Sequence, residues 1–292
     1  NFTAQTYWEL INIPTTGRLT ARFNARIGKQ DVLLFAGGLP ETFKEAYPFR
    51  PLVIHAGTEG NLKQMQISRF TAELPGAFSL NGGGEFWSLT DSVKRNGSMD
   101  FEMHTQNLNF LTGLADIAPD GSIIVPDSMH LAARVGMEGT QCTAALKLLE
   151  KEGVLNLDAA YNLATEAYHA DLAINNLQVH HFLPKDSIYT LTAKMSAKGQ
   201  GVDVASRKTV AALNASLEKL QYGHWDISGV EAHAGLKSSV ATVRLASDNV
   251  LLKMQGNADM RLDRSYLDGA LDLNVEEVNL HKLGLVPRPL KH

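Results

Sequence analysis

Ten histidines and one cysteine are the side chains of this 292-residue chain best suited to chemistry. A metal site needs imidazoles, thiolates or carboxylates converging on one point, and a nucleophile needs a base within hydrogen-bond reach. His180 and His181 are adjacent, so an extended backbone sends them to opposite faces, and no Cys or carboxylate stands nearby at ligand spacing. They read as the end of a strand. Cys142 lies among Thr140, Gln141 and Thr143, with no histidine in its neighbourhood. Glu276-Glu277 is a carboxylate pair, but neighbours on a strand diverge, whereas glycosidase carboxylates converge across a cleft. Gly199-Gln200-Gly201 lacks the third glycine of a dinucleotide fingerprint and opens no helix. The expectation is a non-enzymatic chain with no catalytic residue, no metal site and no cofactor.

The composition narrows the remaining classes. Lys and Arg number 27 against 31 Asp and Glu, a formal net charge of −4, which argues against a nucleic-acid partner because such proteins carry a basic stripe. One cysteine excludes an intramolecular disulfide framework. No run of 18 or more apolar residues is present, so no helix is expected to span a membrane. The chain begins Asn1-Phe2-Thr3, without Met or a charged-then-apolar leader, and reads as a piece of something longer.

The elements that must carry any function are strands. Leu19, Ala21, Phe23, Ala25 and Ile27 alternate with polar residues. So do Leu155, Leu157, Ala159, Tyr161 and Leu163, the segment Tyr189 to Ala197, and the run Leu252, Met254, Gly256, Ala258, Met260, Leu262. A period of two gives each strand one apolar and one wet face, the signature of antiparallel sheets. The fold expected is all-β. Asn96-Gly97 reads as a two-residue hairpin turn, and Asn81-Gly82-Gly83-Gly84, Lys151-Glu152-Gly153, Gly121, Gly136, Gly139 and Gly199 to Gly201 read as strand punctuation. Short helices are expected at Leu39 to Pro48 and at Phe110 to Ile117; Thr143 to Glu150 is ambiguous and leans to strand.

Several strands slip by one residue and then resume their alternation. The pattern occurs at Met65, Ile67, Phe70 and Ala72; at Leu172, Ile174, Leu177 and Val179; at Ala215, Leu217, Leu220 and Tyr222; at Trp225, Ile227, Val230 and Ala232; and at Leu273, Val275, Val278 and Leu280. Asp171 to His180 (DLAINNLQVH) matches Asp272 to His281 (DLNVEEVNLH) without a gap, and Gly57 to Gly60 echoes Gly136 to Gly139 as Gly-x-Glu-Gly. One extra residue between two in-phase halves is a β-bulge, which bends the strand while keeping its apolar set on one face. Repeated in successive strands, it curls a sheet into a trough; the same slips also suit an ordinary sandwich whose strands bend at a corner. Internal repetition favours an elongated architecture.

Residues 51–290 resemble the TamB family, within the AsmA-like group and in its Bacteroides-like version. The resemblance rests on the Gly-x-Glu-Gly echo, DLAINNLQVHHFLP at Asp171 to Pro184, SLEKLQYGHWDISGVEAHAGL at Ser216 to Leu236 and LDLNVEEVNLHKLGL at Leu271 to Leu285. These motifs are diffuse apolar patterns without a catalytic signature. The resemblance implies an elongated curled antiparallel sheet, a β-taco, with an apolar groove and one or two short helices. Residues 1–50 then form N-terminal strands and a short amphipathic helix, continuous with a repetitive β-groove region over 51–292. It also implies a periplasmic protein anchored in the inner membrane by a helix absent from this chain, carrying phospholipid towards the outer membrane. A translocation and assembly role follows too, with an outer-membrane barrel as partner and client β-strands. In a bacterial protein of that kind, the glycosylation-like triplets at Asn1, Asn96 and Asn214 are chance matches.

The residues expected to line the groove are Leu155, Leu157, Leu172, Ile174, Leu177, Val179, Leu252, Met254, Leu271, Leu273, Val275, Val278 and Leu280. Such a wall offers acyl chains about 0.8 kcal/mol per buried CH₂, without fixed direction. The same residues suit a closed sandwich core. Two alternatives remain: a sheet module that binds client strands by edge pairing, and a secreted β-sandwich or β-helix that binds or cleaves polysaccharide. Scattered Trp8, Trp87 and Trp225 and 7% aromatics weaken the last.

Overall fold

The computed structural model describes residues 2–3, 17, 19–35, 38–115, 121–262 and 267–280. Asn1, Trp8, Ile117 and the stretch 281–285 of the sequence argument lie outside the described residues. The protein is all-β and antiparallel, and it divides into two compact units: residues 1–156 with 180–186, and residues 157–179 with 187–292.

In the first unit β1 (Phe2–Thr3) pairs with β2 (Leu19–Ile27). β2, β3 (Leu52–Gly60), β4 (Gln64–Leu74), β5 (Phe78–Trp87), β6 (Asn96–Thr105), β7 (His130–Glu138) and β8 (Gln141–Glu150) then pair in chain order, each antiparallel to the last. Thr143 to Glu150 is therefore strand. The register stacks Phe23, Ala56, Phe70, Gly82, Phe101, Ala133 and Leu146 across one face. Asn24, His55, Thr71, Asn81, Glu102, Ala132 and Lys147 stack across the other.

Helices close one end of this apolar face. α1 (Lys29–Phe35) follows β2, α2 (Glu41–Ala46) occupies the centre of the expected Leu39 to Pro48 helix, and a 3₁₀ segment covers Asn109–Ala115. Phe43, Tyr47, Leu74, Ala77, Leu108 and Phe110 form a buried cluster there, with Val32, Leu52, Phe78 and Met103 against it. The Tyr47 and Phe110 rings meet edge-on at 5.4 Å, the arrangement their quadrupoles prefer. The Lys29 ammonium donates to the Glu45 and Tyr47 carbonyls at 3.0 and 2.8 Å, satisfying acceptors that the end of α2 leaves free.

β9 (Gly153–Asn162) runs from the residues of the first unit into those of the second. The second unit contains β10 (Ala167–Gln178), β11 (Ile188–Gln200), β12 (Val210–Tyr222), β13 (Trp225–Ile227), β14 (Val230–Lys237), β15 (Val240–Asp248), β16 (Leu252–Leu262) and β17 (Leu267–Val278). Short β13 and long β14 both pair with β12, and the other strands pair in chain order.

All five phase slips coincide with an irregularity of pairing. Register shifts between Ile67 and Phe70, and between Ile174 and Leu177. Glu218 is skipped between Leu217 and Lys219, and Glu276 between Val275 and Glu277. Ser228-Gly229 separates β13 from β14. The paired residues at two slips, Asn175-Asn176 and Glu276-Glu277, are exposed, and Asn176 adopts a positive φ of 48°.

The glycine reading needs correction. Asn96-Gly97 begins β6 rather than turning a hairpin, Gly82 to Gly84 lie inside β5, and Gly136 lies inside β7. At Gly82 the reason is space: a Cβ there would stand 2.9 Å from the Asp100 carbonyl oxygen and 2.9 Å from the Phe101 ring. Its cross-strand neighbours on either side are Phe70 and Phe101, so the glycine makes room for rings to lie across the sheet.

Candidate functional site

The second unit presents the most extensive candidate surface. Three rows of paired residues cross seven strands, from β10 to β17, on one face. They run Leu172–Met195–Ala215–Ala232–Leu245–Gly256–Leu273, Ile174–Ala193–Leu217–Val230–Ser247–Met254–Val275 and Ala170–Ala197–Leu213–Ala234–Val243–Ala258–Leu271. At the usual strand spacing the face is ~29 Å wide. One residue along, Asp171, Ser196, Asn214, His233, Arg244, Asn257 and Asp272 form a polar row on the opposite face. Ser247 is the one hydroxyl in the three apolar rows, and its Oγ donates to the Leu252 carbonyl at 2.8 Å.

The face is exposed along β17 and at Met195 and half-buried across its middle strands. Leu236 and Leu251 are the unit's buried hydrophobics, whereas Leu271 is 74% and Leu273 52% exposed. A concavity of about 150 Å³ is lined by Leu172, Ile174, Met195, Ala215, Leu217, Val230 and Ala232. Alanine (Ala193, Ala197, Ala215, Ala232, Ala234 and Ala258) alternates along the rows with taller Leu, Met and Val side chains.

Most of the expected lining residues lie on this wall. Leu172 and Ile174 line the concavity, and Leu177 continues the face beyond the bulge, opposite Leu191. Leu252 and Met254 pair with Val278 and Val275, and Leu271 and Leu273 stand opposite Ala258 and Gly256. Leu280 follows β17 and is exposed, while Val179 leaves the strand to open a 3₁₀ segment, Val179–His181. Leu155 and Leu157 share one face of β9 and are half-buried. Met195, Leu217, Val230 and Ala232 join the lining without having been expected there, although the alternation of β11 and the slip patterns of β12 and β13–β14 carry that signal.

The first unit has its own concavity, about 430 Å³, lined by Ala21, Phe23, Ala56, Thr58, Met65, Ile67, Phe70 and Met99. The aromatic cluster of Phe43, Tyr47 and Phe110 occupies the Leu52–Phe78 end of the same face, so this trough is stoppered at one end.

A comparison with known proteins adds no name. No family model, curated protein or solved structure matches the chain.

The groups with potential for chemistry are distributed as follows. Cys142 is half-buried and stands opposite Met137. His180 and His181 follow β10, and His181 does meet a carboxylate: its Nδ1 lies 2.8 Å from Oε1 of Glu150, which is 1% exposed. Sequence spacing gave no sign of that partner because 31 residues separate the two. Glu150 Oε2 is buried without a partner, and Lys151 Nζ sits 3.3 Å from His181 Nε2. Burial of the acid beside this imidazole fastens segment 180–186 into the first unit.

Proposed function

We propose that this chain is a non-enzymatic periplasmic segment of a TamB/AsmA-like envelope protein that conducts phospholipid along an apolar β-surface between inner and outer membranes. The observation carrying this reading is the seven-strand apolar face of the second unit, whose Met195, Leu271, Leu273 and Val275 are exposed. A soluble monomer rarely exposes a contiguous apolar patch of more than a few hundred Å² unless it binds something. Alkyl chains suit it because the rows are aliphatic and no charged side chain interrupts them. Contacts of about 0.8 kcal/mol per CH₂ add up along a chain yet fix no register, so an acyl tail can slide.

The polar side of the proposal follows from the opposite face, whose Asp, Asn, His and Arg residues keep that side wet. The chain resemblance supplies the rest: attachment to the inner membrane, an outer-membrane barrel partner, and support for assembly of outer-membrane and secreted proteins. No helix among the described residues is long and apolar enough to cross a membrane.

The test is chemical. The full chain, expressed in a Gram-negative periplasm and purified without detergent, is extracted and analysed by mass spectrometry for phospholipid. Phospholipid should copurify, and Met195→Asp or Leu273→Asp should remove most of it with the circular dichroism spectrum unchanged. Absence of phospholipid, or retention unaffected by both substitutions, overturns the reading.

A further inference from the structure

The face of the first unit opposite its trough carries a cluster that the apolar surface does not explain. Glu102 and His104 project from β6 to the same side, two residues apart, and His130 on β7 stands directly opposite His104. The two imidazole rings stack with centroids 4.5 Å apart and planes 11° from parallel. Glu102 Oε1 lies 3.0 Å from His130 Nε2 and 3.7 Å from His104 Nε2. One ligand atom from each residue falls within 4.8 Å of the other two.

We propose that Glu102, His104 and His130 bind a divalent first-row transition ion of the Zn²⁺ class. For metal–ligand bonds of about 2.1 Å, the ligand atoms of a tetrahedral site stand about 3.4 Å apart. The two carboxylate–imidazole separations bracket that value, and the stacked rings must tilt apart, by rotation about their side-chain bonds, for both nitrogen lone pairs to converge on one ion. Two neutral imidazole nitrogens and one carboxylate oxygen are borderline donors, which suit Zn²⁺ better than Ca²⁺ or Mg²⁺, whose preference is for oxygen alone. Three protein ligands leave a position open. His104 and His130 also line a cleft of about 410 Å³ with Glu73, Ser79, Gln106 and Ser128, where a water or an anionic group has room as the remaining ligand. The ion would bridge β6 and β7 from outside, joining the strand that carries Met99 and Met103 on the trough side to the strand that sets Val135 and Leu131 opposite them.

The other acid–histidine contacts of the chain supply internal controls. His169 with Asp171, at 2.8 Å, brings one imidazole and one carboxylate and, among the described residues, no third donor at metal-ligand distance.

Titration calorimetry of the full metal-free chain with ZnCl₂ is the test. One site with micromolar or tighter affinity is expected, since two imidazoles and a carboxylate reach about that range. His104→Gln, His130→Gln and Glu102→Gln should each weaken it by at least ~10-fold, while His169→Gln should not change it. With Cu²⁺ as a spectroscopic probe, paramagnetic resonance should report two nitrogen ligands in the parent and one in His104→Gln. Circular dichroism checks that each exposed substitution leaves the fold intact. No binding of Zn²⁺ up to roughly 100 μM, or affinity undiminished by both histidine substitutions, overturns the proposal.

Discussion

The two units handle the same kind of apolar face in opposite ways. In the first, six of the ten buried hydrophobics among the described residues (Phe43, Tyr47, Leu74, Ala77, Leu108 and Phe110) gather where helices and a 3₁₀ segment cap the strands, and Ala72 and Met129 are buried in the same unit. In the second, two are buried, and the apolar face across β10 to β17 is left half-buried at its centre and exposed along β17. Stability in the first unit therefore concentrates in a stopper, and in the second it is distributed along backbone ladders and cross-strand pairs. Similar alternation in sequence thus serves a packed end in one region and a bare wall in the other.

The sharpest way to break this contrast is to delete a large side chain from each. Phe43→Ala should cost about 3–5 kcal/mol, because it empties a site packed by Tyr47 and Phe110, whereas Leu271→Ala should change stability by about 0.5 kcal/mol or less. Denaturant unfolding followed by fluorescence measures both, and comparable losses would show that β17 is covered after all.

A finer comparison uses two glycines on the two apolar faces. Gly82→Ala should cost about 1–3 kcal/mol, since the new methyl meets a carbonyl oxygen and a ring at 2.9 Å. At Gly256 the added Cβ would meet the tip of Leu273 at 3.3 Å and Leu245 Cβ at 3.9 Å, so Gly256→Ala should lie within about 0.5 kcal/mol of the parent. Thermal unfolding distinguishes them. Equal costs would mean that the second face is as tightly packed as the first.

The smallest expected effect concerns pH. Burial raises the Tyr47 phenol above its ordinary value of about 10. The neutral ring's contribution is complete below that ordinary value and is lost as pH rises through the higher folded one. Stability of the first unit should fall on the alkaline side, and Tyr47→Phe should lessen that fall, as measured by urea midpoints on either side of pH 10. An unchanged alkaline profile in the variant would place the phenol in water.

Much of this architecture was legible in the sequence because alternation and its slips are local. All five slips fall on bulges or breaks. The stopper's helix at Glu41–Ala46 was legible too, closed as expected before Pro48, whereas Lys29–Phe35 has too short a pattern to declare itself. What escaped was set across strands. Asn-Gly at 96–97 has the composition of a turn, yet Gly97 faces Phe86 of the neighbouring strand and extends. The meeting of Phe43 with Phe110, of His181 with Glu150, and of Glu102 with His130 depends on strand order, which no local period encodes.

The slips also separate two properties that are usually tied together. At Asn175-Asn176 and Glu276-Glu277, two polar residues occupy the space of one in the alternation. Excising one residue from such a pair restores strict alternation and leaves every apolar side chain on its original side. Curvature in this protein is thus written in single-residue units, independent of hydrophobic content. A series of such excisions would yield versions of the surface with the same chemistry and progressively flatter profiles.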